Sequence, residues 1–350
     1  MGLVLLADMD AFYASCELLR HPELRGRPFI VGTADDANKT RGVVETCSYE
    51  AKRLGVHSAM AVAAAMKIDG SIAYLQADHS YYEEVSADVM GLLRGYGFRA
   101  EVISVDEAAL DLGDMTAANA EELGRRIKSD IANKIGIPCT VGISTGKVFA
   151  KIVCDSAKPN GLMLVGGGQI KDFLAGMDVK RIPGVGSKTA ERLGELGIKT
   201  VADLARADVH ALMDKVGSFG TELHNLANGT DQSKIVEQYK VLSIGRERTL
   251  ESRTISTADI DKMIDLLADE VIGALDKQGV RFKTVTVKAR YYDFTERVKG
   301  RSLSSYSSDP GVLKSTAKSL IRELLGSKPV RKVGVRVSSL DDGKGQARLF

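Results

Sequence analysis

EVISVDEAALDL, residues 101–112, sets two acidic side chains, Asp106 and Glu107, between two apolar runs. Short apolar, β-branched runs broken by a polar pair are the pattern of buried strands joined by a turn. Glu101–Val105 and Ala108–Leu112 are therefore expected to form a hairpin with the acidic pair at its turn. Far upstream, Leu3 to Ala7 is a continuous apolar run ending on Asp8, a buried strand whose last residue emerges at a sheet edge. If these strands are neighbours, Asp8, Asp106 and Glu107 converge. Two like charges about 4 Å apart repel by roughly 4 kcal/mol at an effective dielectric near 20, so such a cluster binds cations or takes up protons. Ligands that are all oxygen favour Mg²⁺ or Mn²⁺. Two such ions roughly 3.5–4 Å apart can activate a 3′-hydroxyl and stabilise a leaving pyrophosphate. Taken alone, an acidic pair after an apolar strand is more often a solvated hairpin. Asp10, two residues beyond Asp8, reads as the N-cap of the next helix.

Working outward, Phe12, Cys16 and Leu19 recur at helical spacing until His21-Pro22 ends the run. Phe29–Val31 reads as a strand, and Tyr49–Leu54, Ala61–Lys67 and Tyr81–Leu93 as helices. Ala120–Ile135 (helix), Thr140–Ile143 (strand) and Lys147–Ser156 (helix) complete a mixed sheet expected to carry its helices on one face. Residues 182–204 place two short helices around glycine turns. The backbone N–H groups near Gly184 and Gly186, with Lys188, suit a phosphate, as in a helix-hairpin-helix. From Val241 the pattern is βαββαβ, a ferredoxin-like module. Its strands carry Lys283, Lys288, Arg290, Arg297, Lys299, Arg301, Arg331, Lys332 and Arg336, which strand alternation should put on one face of each strand, where a sheet could lie along a nucleic-acid backbone.

Charge supports that division. Residues 1–232 hold 25 Lys plus Arg against 31 Asp plus Glu, a net −6, whereas residues 233–350 hold 23 against 15, a net +8. A polyanion would prefer the second part. The four cysteines lie 31, 92 and 15 residues apart and the five histidines are scattered, so free thiols are expected and a Cys/His metal site is not. No stretch approaches the roughly 18 apolar residues of a membrane span, and MGLVLLADMD lacks the parts of a signal peptide. A soluble, cytoplasmic, nucleoid-associated protein is expected.

The segments LLADMDAFYASCE, TCSYEAKRLGV, ISVDEAALDL, TVGISTGKVFAKIVCDSAKPNG, IPGVGSKTA and VRKVGVRVSSL, in this order and spacing, closely resemble the Y-family DNA polymerases of the DinB or polymerase IV type. The resemblance covers essentially all 350 residues. It implies an α+β, multidomain right-hand polymerase. The ferredoxin-like palm would span 1–10 and 77–166, the small fingers 11–76, and the helix-hairpin-helix thumb 167–232. A linker at 233–240 would lead to a βαββαβ little finger at 241–340 and a flexible tail at 341–350. It further implies that Asp8, Asp106 and Glu107, with the Met9 carbonyl, hold two Mg²⁺ ions, for which Mn²⁺ can substitute. Tyr13 falls at the family's steric gate, which rejects a ribose 2′-hydroxyl. Thr46, Tyr49, Lys52 and Lys158 fall where the family holds the nucleotide triphosphate. The family commonly has Arg then Lys after Tyr-Glu-Ala, whereas this chain has Lys52 then Arg53, and an ammonium grips phosphate differently from a guanidinium. Gln346, Leu349 and Phe350 resemble a sliding-clamp docking peptide. The implied activity is low-fidelity, lesion-bypassing extension of a primer-template with dNTPs by a monomer without proofreading. The rivals are a palm-type nucleotidyl cyclase and a noncatalytic DNA-binding relative.

Overall fold

The computed structural model describes residues 2–34, 42–254, 256–326 and 328–342, with 251–254 described by backbone alone. The chain forms two compact units, 1–238 and 239–350. In the first, the order is β1 (Leu3–Met9), α1 (Phe12–Arg20), β2 (Phe29–Ala34), β3 (Gly42–Cys47), α2 (Tyr49–Arg53), α3 (Val62–Ile68), β4 (Ala73–Gln76), α4 (His79–Arg94), β5 (Arg99–Val102) and β6 (Glu107–Gly113). There follow α5 (Ala117–Lys134), β7 (Cys139–Ser144), α6 (Lys147–Ala157), β8 (Leu162–Val165), α7 (Gly167–Ala175), α8 (Ser187–Gly194), α9 (Val201–Arg206), α10 (Val209–Val216) and α11 (Phe219–Ala227).

A five-stranded sheet runs β5-β6-β1-β7-β8, antiparallel except for the parallel pair β7–β8. The expected hairpin is present, although β5 stops at Val102 and Val105 is exposed in the turn. Strand β1 lies in the middle because both its faces are apolar. Leu5 and Ala7 pack with Val89, Leu110 and Ile127 under α4 and α5, while Val4 and Leu6 pack with Ala109, Ala150 and Cys154 under α6. Helices thus cover both faces, not one as expected. The close seat of α6 depends on Gly142 in β7, where a Cβ would run into the α6 backbone at Ala150 and Cys154.

A smaller sheet, β3-β2-β4, packs with α2 and α3 around Ile30, Val44, Val62 and Ile72. Helices α7–α11 form a separate core around Leu174, Leu193, Leu204, Leu212 and Leu223.

The stretch expected as a linker, 233–240, is fastened to the first unit for most of its length. The buried Glu101 carboxylate takes Lys147 Nζ at 2.7 and 2.9 Å and the Val236 N–H at 2.8 Å. Helix α6 begins at Gly146, which has φ 120° and no side chain to cap it. Asp231 supplies the acceptor instead, taking the Val148 N–H at 2.7 Å, and a Cβ on Gly146 would lie 2.6 Å from that carboxylate. Since Lys234 and Glu237 cancel, the boundary at 238/239 leaves the charges at −6 and +8.

The second unit is β9 (Ser243–Thr254), α12 (Thr257–Gln278), β10 (Phe282–Tyr291), β11 (Glu296–Ser307), α13 (Pro310–Arg322) and β12 (Val330–Ser338), the expected βαββαβ. Its sheet runs β11-β10-β12-β9, so the opening strand lies at an edge. In the first unit the opening strand lies between β6 and β7. The two modules share an element order but not a strand order.

Candidate active site and nucleic-acid interface

The register of β1 and β6 puts Asp8 directly opposite Glu107, and the Met9 N–H donates to the Asp106 carbonyl at 2.8 Å. Alternation places Val4, Leu6 and Asp8 on the α6 side of β1, with Ala109 and Glu107 beside them. Helix α6 therefore reaches the acids. Lys151 Nζ lies 2.7 Å from Asp8 Oδ2 and 2.8 Å from Glu107 Oε2, and Lys158 Nζ lies 2.7 Å from the same Asp8 oxygen. Burial disfavours the Lys151 ammonium, but hydrogen bonds to two carboxylates outweigh it and hold the lysine protonated far above its usual range. Glu107 responds first to burial, which raises its carboxyl against the opposing pull of Lys151.

Asp106 turns its carboxylate to Ser104 Oγ at 2.6 Å. Among the described residues, no three His, Cys, Asp or Glu side chains are placed to hold a metal ion together. The residues nevertheless fit a divalent cation: the donors are all oxygen, and two ammonium groups already crowd one of them.

Asp10 corrects an expectation. Helix α1 is preceded by Ala11 in the left-handed conformation (φ 45°, ψ 52°) with no side-chain cap, and Asp10 turns inward, 1% exposed. It accepts from Thr140 Oγ1 at 2.9 and 3.1 Å and from the Asn160 N–H at 2.8 Å. Burial, and then the nearby Asp10 and Asp8, push the Tyr49 phenol up.

Thr46 lies on β3 and Tyr49 opens α2, whose N-cap Ser48 accepts from the Ala51 N–H. Lys52 Nζ sits 4.5 Å from the Tyr49 ring centroid, whereas Arg53 is turned to Glu50 at 3.8 Å with its side chain 75% exposed. Tyr13 is half-buried on α1. Its ring stacks on Tyr82 with centroids 4.4 Å apart and meets His79 edge-on at 5.9 Å. Tyr82 is itself fixed by a 2.5 Å hydrogen bond to the buried Glu17.

In the second unit the basic residues divide between the two faces of the sheet. Lys288, Arg290, Lys332 and Arg336 stand on the face away from α12 and α13, partly neutralised by Glu247 and Glu296. On β11, Arg297, Lys299 and Arg301 oppose Ala289, Val287 and Val285 and so lie on the helix side, where Lys299 and Arg301 meet Glu323. Lys283 sits near Tyr306, and Arg331 lies 4.7 Å from the Phe294 ring centroid. The open face also carries a row that runs Ser302, Thr284, Ser338, Ser243, hydroxyl groups that sequence reasoning did not single out. In the helical part, Gly184 and Gly186 form the turn before α8, which starts without a side-chain cap, and Lys188 is exposed on its first turn. Gln346, Leu349 and Phe350 lie outside the described residues.

Sequence profiles of the impB/mucB/samB family match residues 7–155, and that family's C-terminal domain matches 241–349. A DNA polymerase-iota thumb-domain profile matches 180–231. DNA polymerase IV of Methanoculleus marisnigri is 41% identical over 344 residues, covering 97% of this chain and 95% of the relative. DNA polymerase IV 2 of Methanosarcina mazei is 40% identical over 341 residues, covering 97% and 92%. A solved Y-family DNA polymerase chimera, Dbh-Dpo4(243-245)-Dbh, superposes with a TM-score of 0.89 at 33% identity, covering 96% of this chain and 98% of its own. The chain belongs to the Y-family of DNA polymerases.

As a Y-family polymerase the protein is a DNA-directed DNA polymerase with the α+β right-hand architecture, and divalent-metal dependence goes with the family. An insertion ternary complex of Dbh DNA polymerase superposes with a TM-score of 0.69 at 32% identity, covering 96% of this chain and 98% of that one. Two residues of this polymerase's site escaped the sequence reading. Lys151 looked like one more polar position on a helix, since its target lies 143 residues away. Asp10 carried the ordinary signature of a cap.

Proposed function

We propose that this polymerase adds deoxynucleotides to a primer 3′-end opposite damaged as well as intact template bases, using two Mg²⁺ ions held by Asp8, Asp106, Glu107 and the Met9 carbonyl. The observation that carries this reading is the convergence on Asp8: Glu107 across the strand pair, the Asp106 main chain bonded to Met9, and two lysine ammonium groups at 2.7 Å. When bound, the ions supply the Lewis acidity that activates the primer hydroxyl and steadies the departing pyrophosphate.

The remaining work belongs to side chains. Lys151 gives up Asp8 and Glu107 to the cations. Thr46, Tyr49, Lys52 and Lys158 hold the triphosphate, joined by the uncapped first-turn N–H groups of α1. Tyr13, braced by Tyr82, lies against the sugar and excludes a 2′-hydroxyl. The turn Gly184–Gly186 with Lys188 takes backbone phosphates, as does the open face bearing Lys288, Arg290, Lys332 and Arg336. In family terms the five-stranded sheet is the palm, the small sheet with α2 and α3 the fingers, α7–α11 the thumb and the second unit the little finger. The tail ending Gln346-Ala-Arg-Leu-Phe350 docks on a sliding clamp.

Primer extension across an abasic site, with Mg²⁺ and with chelator, tests the reading. Asp106→Ala should abolish extension while leaving primer-template affinity nearly unchanged, and residual turnover within about tenfold of wild type would remove the metal assignment.

A further inference from the structure

Asp10 adjoins the proposed metal ligands, yet the two-metal reading gives it no task. Its carboxylate joins two segments distant in sequence, β7 through Thr140 and the loop after α6 through Asn160, and its charge reaches Tyr49 on α2. Its main chain is equally constrained, its N–H donating to the Pro138 carbonyl at 3.1 Å and its carbonyl accepting from Ser15 Oγ at 2.5 Å. The loop after α6 carries a group assigned above to the triphosphate, since Lys158 precedes Asn160 by two residues. The Asn160 N–H can only donate, so it loses its acceptor when the Asp10 carboxyl group is removed.

We propose that Asp10 is a positioning residue for the incoming nucleotide, a buried carboxylate that holds the Lys158 loop against β7, beside the triphosphate, before it arrives. The anchors on Thr140 and Asn160 persist throughout. The inference rests on the reading of Tyr49 and Lys158 as triphosphate donors.

The test is steady-state single-nucleotide insertion by the full chain on a primer-template. Asp10→Ala should raise the KM for dNTP on the order of tenfold, the equivalent of one lost hydrogen bond. Its kcat should stay within about threefold and its DNA affinity within about twofold. In a Lys158→Ala background the same change should cost less than about threefold, because residues acting on one contact do not add. Thr140→Val, which removes a donor without touching nucleotide, should raise KM in the same direction and keeps the question open to measurement if Asp10→Ala folds poorly. A loss confined to kcat, a fall in KM, or full additivity with Lys158→Ala overturns the proposal. If Lys158→Ala and Tyr49→Phe raise KM while Asp10→Ala and Thr140→Val do not, the Asp10 inference alone fails. If Lys158→Ala and Tyr49→Phe leave KM unchanged, the triphosphate assignment fails and takes the inference with it.

Discussion

Lys151→Met keeps an unbranched stem on α6 and deletes the ammonium group that lies 2.7 Å from Asp8 and 2.8 Å from Glu107. The side chains of Asp8 and Glu107 are 5% and 13% exposed, so water does little to replace the lost charge. Breaking a buried pair by removing one partner costs about 3–5 kcal/mol. The low end, about 3 kcal/mol, applies here because Lys151 is itself partly exposed and Lys158 still covers Asp8. At roughly 2–4 °C per kcal/mol for a unit of this size, the metal-free melting temperature should fall by about 6–12 °C. A divalent cation supplies the missing charge, and a ligand at a hundred times its Kd adds about 2.7 kcal/mol to the folded state. Wild type gains less, since the cation must first displace Lys151. Calorimetry in chelator and in saturating Mg²⁺ or Mn²⁺ should therefore show a larger metal-induced rise for the variant, by several degrees. Equal rises in the two proteins would mean that Lys151 does not stand where the cations bind, and the three-carboxylate reading would lose its main support.

Tyr13→Ala should raise the rNTP/dNTP insertion ratio by roughly 10–200-fold, the discrimination a single steric group supplies, and an unchanged ratio would strip Tyr13 of the gate role. Lys52→Ala should raise the KM for dNTP about tenfold while Arg53→Ala changes it less than about twofold, because only Lys52 is turned toward Tyr49; the reverse result would assign the phosphate to the guanidinium. The logarithm of DNA affinity should fall linearly with that of salt concentration. Arg336→Ala, on the open face, should lower the slope by about one, whereas Arg297→Ala, on the helix side, should leave it unchanged; equal slopes for both variants would contradict the division of the basic residues.

How much was legible in advance follows from the range of each interaction. The hairpin around Asp106-Glu107 and the strand ending on Asp8 were readable because apolar runs and their breaks are local signals. The βαββαβ order of the second unit was readable for the same reason. The face covered by α6 was not. Strands β1 and β7 are apolar on both sides, and no residue count within them says which neighbour takes which side. Alternation correctly sorted Lys288 and Arg290 from the buried residues of β10. On β11, every residue from Glu296 to Leu303 escapes full burial, so the pattern could not show that Arg297, Lys299 and Arg301 face the helices; only pairing with β10 did.

By itself the sequence determined the strands that carry the acidic residues and the βαββαβ order of the second unit, though not β3, β4, β8, α7, α10 or α11, and it determined that its acids and bases divide between two units and which carboxylates are candidates for a cation. Tertiary structure alone decided that Lys151 and Lys158 close over Asp8, and that Asp10 binds two separate segments instead of capping its own helix. It also decided the strand orders of the two sheets. The physical reason is that a side chain's periodic exposure is set by its neighbours along the chain, whereas its charge partner is set by which apolar faces pack together, and many pairings satisfy the same local pattern.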